Sequence, residues 1–278
     1  MIYCLNFVIC CRSSRIEYFT ILKEPLWRYV SEWKHVATKH AWTGNYRCNH
    51  NESKSSDVPL CTESKVVYLI FKQYLWKGVT LDEFLKCPHN LAHNRQVRML
   101  SDRTLIGCYT KALLSNQSEE LKRLMLESAK NNLSRMKFFG LSEYMYLNQY
   151  MFEQTFKGLR FSSNLKQNIF FRNNSIQKST YPFSESFKVS LFLQSTKPYI
   201  IDEIKKKVKF DIQFYQFAKD LYFSRLWKLL ETDEKFKETG FFNTTFRTFN
   251  CSSELELHAE KVVSTLKELE IFNTKYNF

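Results

Sequence analysis

Ile16-Glu17-Tyr18-Phe19-Thr20-Ile21-Leu22 is followed by Lys23-Glu24-Pro25, and this segment determines the architecture predicted for the chain. Its β-branched and aromatic residues predict a buried strand over residues 16–22. Pro25 suits the first position of a helix, because no N–H is needed there. Apolar residues then recur at helical spacing, at Leu26, Tyr29, Val30, Trp33 and Val36. The sequence therefore predicts a strand, a tight turn and a helix.

The rest of the chain continues this alternation, with more helix than strand. Thr80 and Glu83 have the spacing of a capping box and predict a helix start. Apolar periodicity predicts further helices over residues 93–101, 118–137, 142–156, 200–230 and 255–269. A short buried strand is predicted at 137–140, and loops at 37–64 and 164–185. The pattern favours an α/β fold, rich in helix, with a small and mostly parallel sheet.

Composition limits the class of protein. The 278 residues are 44% hydrophobic and 25% charged, so the chain can bury a core. A disordered tail, a collagen and a disulfide mini-protein are excluded. No apolar run approaches the ~18 residues of a membrane-spanning helix, which excludes a multi-span membrane protein. The six glycines are scattered singly, so no glycine-rich phosphate loop is encoded.

The charge of the chain indicates the sign of its partner. Lys and Arg number 41 against 28 Asp and Glu, which gives a net charge of +13. This surplus favours a polyanion, either a nucleic acid, an anionic lipid or a sulfated or carboxylated polysaccharide, although a basic chain can also be simply soluble. The zinc-finger, RRM and basic-helix patterns of nucleic-acid binders are missing from the sequence, so we expect no nucleic-acid partner.

Cysteines and glycosylation sequons favour an oxidising compartment. Cys48, Cys61, Cys87 and Cys108 fall in one loop-rich region that disulfides could pin. Six Asn-x-Ser/Thr sequons point weakly the same way. They begin at Asn51, Asn116, Asn132, Asn173, Asn243 and Asn250. The sequence has no Cys-x-x-Cys pair and no His-Glu-x-x-His motif, so we expect no metal site.

The turn after the first predicted strand is a candidate anion site. A helix that follows a strand directs its first N–H groups outward, and Lys23 adds a positive charge. Ser31 lies eight positions later, about two helical turns along, so both side chains could reach one phosphate. The alternative is that Lys23 is a solvated turn residue and Ser31 an ordinary residue of the helix surface.

His35 is a candidate contact for a sugar. It lies four residues beyond Ser31 on the same predicted face and is flanked by Trp33 and Trp42. An imidazole among aromatic and basic side chains could orient a sulfate or carboxylate by hydrogen bond and charge. A surface histidine beside core tryptophans would give the same spacing.

Several longer motifs resemble one family. Residues 24–36, Glu-Pro-Leu-Trp-Arg-Tyr-Val-Ser-Glu-Trp-Lys-His-Val, resemble the 3′-phosphate-binding segment of the heparan-sulfate 6-O-sulfotransferases. Residues 80–100, Thr-Leu-Asp-Glu-Phe-Leu-Lys-Cys-Pro-His-Asn-Leu-Ala-His-Asn-Arg-Gln-Val-Arg-Met-Leu, are the most specific match. Further motifs follow in the order of the family at 107–109, 126–133, 138–141 and 217–221. The resemblance covers roughly residues 17–230.

The resemblance implies a P-loop-like sulfotransferase domain over residues 16–230, with a leader at 1–15, an insertion at 65–75 and a charged helical tail at 231–278. It implies transfer of sulfate from 3′-phosphoadenylyl sulfate to the 6-hydroxyl of glucosamine in heparan sulfate. The implied nucleotide-binding residues are Lys23, Ser31, Lys166, Gln167, Asn168, Arg172 and Asn173, and the implied polysaccharide contacts are His35 and Trp42. Members of the family are Golgi type II membrane glycoproteins that face the lumen, so we expect a membrane anchor outside these residues.

The chain also departs from the family pattern. Lys23 stands where the family has Arg, which keeps the charge but loses the bidentate fork, and Val79 replaces a cysteine. The family's phosphosulfate loop and catalytic histidine precede the strand at Ile16. We therefore expect no catalytic residue in this chain, a sheet without its first strand and with an open edge, poor folding and no activity. The alternative is a non-catalytic heparan-sulfate-binding remnant of the family.

Overall fold

The computed structural model of the protein describes residues 7–10, 16–38, 78–87, 90–102, 105, 118–161, 192–239, 256 and 258–275. These residues divide between two compact units. The helical unit draws on residues 23–135 and 180–215, and the sheet unit on 5–22, 136–179 and 216–278. The insertion expected at 65–75 and six predicted site residues lie outside the described residues. These six are Trp42, Lys166, Gln167, Asn168, Arg172 and Asn173.

Helices account for most of the described residues, as the sequence predicts. In chain order, the helices whose two ends are both described are α1 (Pro25–Thr38), α2 (Leu81–Lys86), α3 (Arg95–Leu100), α4 (Glu119–Arg135), α5 (Met145–Thr155), α6 (Pro198–Lys207), α7 (Lys209–Thr232), α8 (Glu234–Glu238) and α9 (Ala259–Lys275). A 3₁₀ turn, Ser142–Tyr144, precedes α5. None of the described helices is both long and apolar enough to cross a membrane.

The sheet unit contains a three-stranded sheet in the order β1 (Phe7–Cys10), β2 (Ile16–Leu22) and β3 (Phe138–Leu141). The strands β2 and β3 are parallel, with their last residues Leu22 and Leu141 opposite each other. This confirms the two predicted strands and the small sheet of an α/β fold. The expected open edge on β2 is wrong, because the β-prone run of β1 pairs antiparallel along that edge.

Aromatic rings fill the core of the sheet unit. Phe138 of β3 meets Phe19 of β2 and Phe152 of α5 edge to face, with ring centroids 6.4 and 5.3 Å apart. Phe139 faces the other way and lies 6.2 Å from the ring of Tyr222 in α7. Alternate side chains of a strand point to opposite faces, so β3 contributes an aromatic ring to each side of the sheet.

The helical unit begins as predicted, with α1 starting at Pro25. The capping box of α2 is present: Glu83 N–H donates to Thr80 Oγ1 at 3.3 Å, and Thr80 N–H donates to Glu83 Oε2 at 2.8 Å. The core contains buried apolar side chains of α1, α2, α6 and the segments between them. It comprises Tyr29, Val30, Val36, Val79, Phe84, Leu85, Cys87, Leu91, Ala92, Ile204 and Val208.

The single helix predicted over residues 200–230 is wrong, because the structure has two helices that separate at Val208. The cause is a distant side chain. Asn94 Oδ1 accepts hydrogen bonds from the N–H groups of Phe210 and Asp211, at 2.9 and 3.3 Å, and so caps the start of α7.

Candidate functional site

Lys23 directly follows β2 and begins the turn into α1. Its backbone is held at two points by Gln96 of α3. The Lys23 N–H donates to Gln96 Oε1 at 3.0 Å, and Gln96 Nε2 donates to the Lys23 carbonyl at 2.9 Å. The Gln96 residue is 1% exposed, so water competes little for these two hydrogen bonds. We call this arrangement the Gln96 clamp. It fixes the residue that the sequence predicts to bind an anion.

The first turn of α1 offers fewer free donors than the sequence analysis expects. Pro25 has no N–H, and the Trp27 N–H donates at 2.8 Å to the carboxylate of Glu24. The N–H of Arg28 donates to the Glu24 carbonyl at 2.8 Å. The Glu24 carboxylate therefore caps this helix and reduces the positive electrostatic potential at its N-terminus. An external anion would depend on side-chain donors more than on backbone amides.

Ser31 and His35 lie further along α1 and differ in exposure. Ser31 is 0% exposed, so the description of an ordinary surface residue does not fit it. His35 is half-buried in the last turn. Trp33 lies between them, and its indole N–H donates to the Val79 carbonyl at 3.0 Å. The roles of Lys23, Ser31 and His35 as ligand contacts stay predictions.

A buried ionic network includes Arg28 and Glu32 of α1. Arg28 donates to Glu32 at 2.5 Å and to the Ala92 carbonyl at 2.7 Å, and it lies 3.2 Å from Asp211. Glu32 also pairs with Arg95 at 2.7 Å. The side chains of Arg28, Glu32 and Asp211 are at most 5% exposed. Because each buried charge has a partner of opposite sign, the network ties α1 to α3 and α7.

Asp211 also caps the helix that carries Gln96. Its carboxylate accepts from Val97 N–H at 2.9 Å and from Gln96 N–H at 3.3 Å, the first-turn donors of α3. Asn94 caps α7 in return, so the two helix starts cap each other. Burial raises the pKa of the Asp211 carboxyl, although Arg28 and the two amides act in the opposite direction.

His93 lies just before α3 and contacts Tyr29 of α1. Its ring stacks on Tyr29 with centroids 6.0 Å apart and planes 7° apart, and Nε2 lies 3.3 Å from the Tyr29 hydroxyl. Burial, reinforced by Lys207 and Arg98, lowers the pKa of His93 to about 3. An imidazole with that pKa is neutral at pH 7 and a poor base, so His93 does not suit the abstraction of a hydroxyl proton.

An open cavity of about 620 Å³ lies in the helical unit beside Trp33. Its lining includes Trp33, Phe192, Tyr199 and Ile200. Lys23, Ser31 and His35 are not among the described residues that line it, so the cavity gives no support to the predicted site. No group of three or more metal-ligating side chains occurs within the described ranges.

The contacts that Gln96 and Asp211 make around the turn at Lys23 were not predicted from the sequence. Gln96 lies inside the motif of residues 80–100, which is the most specific match to the family. The motif did not indicate that the Gln96 side chain binds the backbone of Lys23. Asp211 binds amides 114 and 115 residues away, and no spacing rule connects positions that far apart.

The sequence of the chain is similar to those of known proteins. A profile described as the sulfotransferase family matches residues 9–218. Human heparan-sulfate 6-O-sulfotransferase 2 is 35% identical over 218 residues, which are 77% of this chain and 30% of the relative. Heparan-sulfate 6-O-sulfotransferase 3-B of Danio rerio is 36% identical over 77% of this chain and 44% of the relative. Heparan-sulfate 6-O-sulfotransferase 1 of Cricetulus griseus is 37% identical over 77% of this chain and 46% of the relative.

The chain spans less than half the length of these curated relatives. The match to the family profile nevertheless includes β2, the turn at Lys23, α1 and the Gln96 clamp. The chain belongs to the sulfotransferase family.

Proposed function

We propose that this chain is part of a heparan-sulfate 6-O-sulfotransferase, which transfers sulfate from 3′-phosphoadenylyl sulfate to the 6-hydroxyl of glucosamine in heparan sulfate. The observation that carries the proposal is the strand-to-helix turn at Lys23. It lies within the stretch shared with relatives that are named for this activity. A net charge of +13 suits a sulfated polysaccharide as the acceptor.

The donor chemistry of the turn fits a phosphate. Lys23 supplies an ammonium and Ser31 a hydroxyl, and a charge-assisted hydrogen bond of this kind contributes about 1.5–3 kcal/mol. In the proposal these two side chains hold the 3′-phosphate of the donor, and Lys166, Gln167, Asn168, Arg172 and Asn173 complete the nucleotide site. His35 and Trp42 contact the polysaccharide.

The role of the turn is to orient the donor. In sulfate transfer a bond forms between sulfur and the acceptor hydroxyl oxygen while the bond from sulfur to the phosphate oxygen breaks, and a base takes the hydroxyl proton. The 3′-phosphate is remote from that centre, so Lys23 and Ser31 act by holding the nucleotide in one pose. Glu24 places a negative charge beside the same turn and weakens binding of the phosphate.

The proposal includes a location in the Golgi lumen, with the protein attached to the membrane. Cys87 forms a disulfide, as expected in an oxidising compartment. Of the six sequons, Asn132 is the one whose side chain the structure describes. Its amide nitrogen donates to the Leu100 carbonyl at 2.8 Å, so a glycan on that nitrogen would leave a single N–H for the hydrogen bond between α3 and α4.

Binding of adenosine 3′,5′-bisphosphate, compared with adenosine 5′-monophosphate, tests the donor site. We expect the chain to prefer the bisphosphate, measured by isothermal titration calorimetry. Lys23→Met should weaken bisphosphate binding about tenfold to hundredfold and leave the monophosphate unchanged, because one charge-assisted contact is lost. Lys23→Arg should tighten it a fewfold, because a guanidinium binds phosphate at two points.

Lys137→Met is the matched control. It removes the same charge from an exposed lysine that pairs with Glu17 in the sheet unit, so both affinities should stay at the wild-type values. Equal binding of the two nucleotides by the wild-type chain would contradict the proposed donor site.

Acceptor binding separates the proposed enzyme from a heparan-binding remnant. Transfer of radiolabelled sulfate to 6-O-desulfated heparan sulfate would establish the activity for this chain. Binding of the polysaccharide without binding of the bisphosphate would instead favour the non-catalytic remnant.

A further inference from the structure

The Gln96 clamp uses a whole side chain to hold one residue of the turn. Its carboxamide donates to the carbonyl of Lys23 and accepts from the N–H of the same residue. Lys23 is half-buried, whereas the residue that holds it is almost completely buried. A backbone fixed at both its donor and its acceptor has little freedom, so the starting point of the Lys23 side chain is defined.

Gln96 is itself held by its neighbours. Its N–H donates to Asp211, and the N–H of Val97 donates to the same carboxylate. Asp211 lies 3.2 Å from Arg28, which binds the Ala92 carbonyl just before α3. Contacts from α1 and α7 therefore hold the start of α3, from which the Gln96 carboxamide extends.

This degree of support exceeds what a connecting turn requires. Capping by Glu24 already starts α1 and pairing with β3 already fixes β2, so neither element needs the clamp to form. What the clamp adds is a fixed backbone at the point between them. A flexible lysine side chain gains binding precision when its main chain is immobilised, because less entropy is lost on contact with a ligand.

We propose that Gln96 is the positioning residue of the nucleotide site: it fixes Lys23 so that the ammonium meets the 3′-phosphate of the donor. The inference rests on the proposed function, because it assumes that Lys23 binds this phosphate. It assigns Gln96 no contact with the nucleotide. Gln96 acts through the backbone of Lys23, so its loss changes the selectivity for the 3′-phosphate more than the affinity for the rest of the nucleotide.

Gln96→Met tests the inference, since methionine has a similar length and cannot make either hydrogen bond. We expect calorimetry to show about tenfold weaker binding of adenosine 3′,5′-bisphosphate and less than a twofold change for adenosine 5′-monophosphate. Hydrogen exchange at the Lys23 amide should be faster in the variant, because its acceptor is gone.

Asn148→Leu is the matched control. Asn148 of α5 clamps Leu141 in the same way, with Leu141 N–H donating to Oδ1 at 3.1 Å and Nδ2 donating to the Leu141 carbonyl at 2.7 Å. The variant removes the same two kinds of hydrogen bond from a more deeply buried position in the sheet unit, so its loss of stability should be at least as large as that of Gln96→Met. We expect it to keep the wild-type ratio of the two nucleotide affinities.

The outcomes separate the two proposals. If wild type prefers the bisphosphate and Gln96→Met keeps that preference, the positioning role is wrong and the donor site stands. If both variants lose the preference equally, the effect is general instability and the positioning role is again wrong. If wild type has no preference, the proposed donor site fails and the inference fails with it.

A variant that does not fold would not end the test. Gln96→Asn keeps the carboxamide and shortens its reach by one methylene, so it should lower the selectivity for the 3′-phosphate in the same direction by a smaller factor. Unchanged selectivity together with faster exchange at Lys23 would overturn the inference.

Discussion

Gln96 in the helical unit and Asn148 in the sheet unit make the same pair of hydrogen bonds, but their surroundings are opposite in character. The Gln96 clamp is supported by buried charges, since Asp211 caps its helix and Arg28 lies 3.2 Å from Asp211. Asn148 packs against the backbone of Gly140, where an added Cβ would lie 2.9 Å from Asn148 Cγ. One clamp depends on electrostatic pairing, and the other depends on close packing that only glycine permits.

The two units differ in how narrowly their contacts define the position of the backbone. Ion pairs and hydrogen bonds are directional, so a buried network defines the position of a backbone more narrowly than apolar contacts do. The helical unit, which holds Lys23, contains such a network. The sheet unit relies on rings such as Phe138 and Phe152, which give stability with less dependence on direction. The contrast predicts that changes in charge or pH act mainly on the helical unit.

The largest expected effect is at Asp211. Asp211→Ala leaves Arg28 short of a partner and two amides of α3 without an acceptor, so we expect a loss of about 3–5 kcal/mol in the free energy of unfolding. Chemical denaturation measures this. Asp233→Ala in the sheet unit removes a cap of Phe236 N–H and the partner of Tyr150, and should cost only about 1–2 kcal/mol. Equal losses in the free energy of unfolding for the two variants would contradict the expected difference between the helical and sheet units.

A smaller effect is expected from His93 as the pH falls. Its pKa is lowered to about 3 in the folded protein, below the ordinary value of 6.5, so the unfolded chain binds the proton more readily. The stability that depends on neutral His93 is fully present above pH 6.5 and decreases as the pH falls toward 3. We expect a loss of up to about 2 kcal/mol between pH 6.5 and 5.

His93→Phe keeps a ring against Tyr29 and removes the titration. Its free energy of unfolding should fall less than that of wild type over the same pH interval. Parallel pH profiles of the two proteins would show that His93 does not carry the acid sensitivity of the helical unit.

The smallest effect, with the opposite sign, is expected at Tyr222 in the sheet unit. Its buried hydroxyl has no hydrogen-bond partner among the described residues. Tyr222→Phe removes an unsatisfied polar group and keeps the ring beside Phe139, so the free energy of unfolding should stay the same or rise by up to about 1 kcal/mol. A fall of more than 1 kcal/mol in denaturant unfolding would mean that the aromatic core depends on a polar contact after all.

Local signals predicted much of the fold. The strand at Ile16–Leu22, the start of α1 at Pro25 and the capping box at Thr80 depend on residues within a few positions of one another, and all three are present. The break at Val208 was missed because the apolar pattern continues across it. The break comes from the Asn94 side chain, 116 residues before Phe210, and no local pattern contains that information.

The candidate site shows the same division. Spacing alone placed Lys23 in the turn and Ser31 on the helix that follows it, but it did not decide whether they bind a ligand. The family resemblance identified the 3′-phosphate of the donor as the candidate ligand. Capping of the α1 N-terminus by Glu24 was not predicted. A glutamate at this position does not by itself indicate that its carboxylate accepts a hydrogen bond from the Trp27 N–H. Gln96 and Asp211 gain their roles only when residues more than 70 positions apart meet.

The mutual capping of α3 and α7 has a consequence for synthesis of the protein. Asp211 must reach the amides of Gln96 and Val97, 115 and 114 residues earlier in the chain, before α3 is anchored. While the ribosome is still translating that interval, Asp211 is not yet present to cap α3, so the Gln96 clamp on Lys23 is not yet supported. The turn at Lys23 should therefore reach its final conformation late, after most of the chain has emerged from the exit tunnel, because contacts of such high sequence separation slow folding.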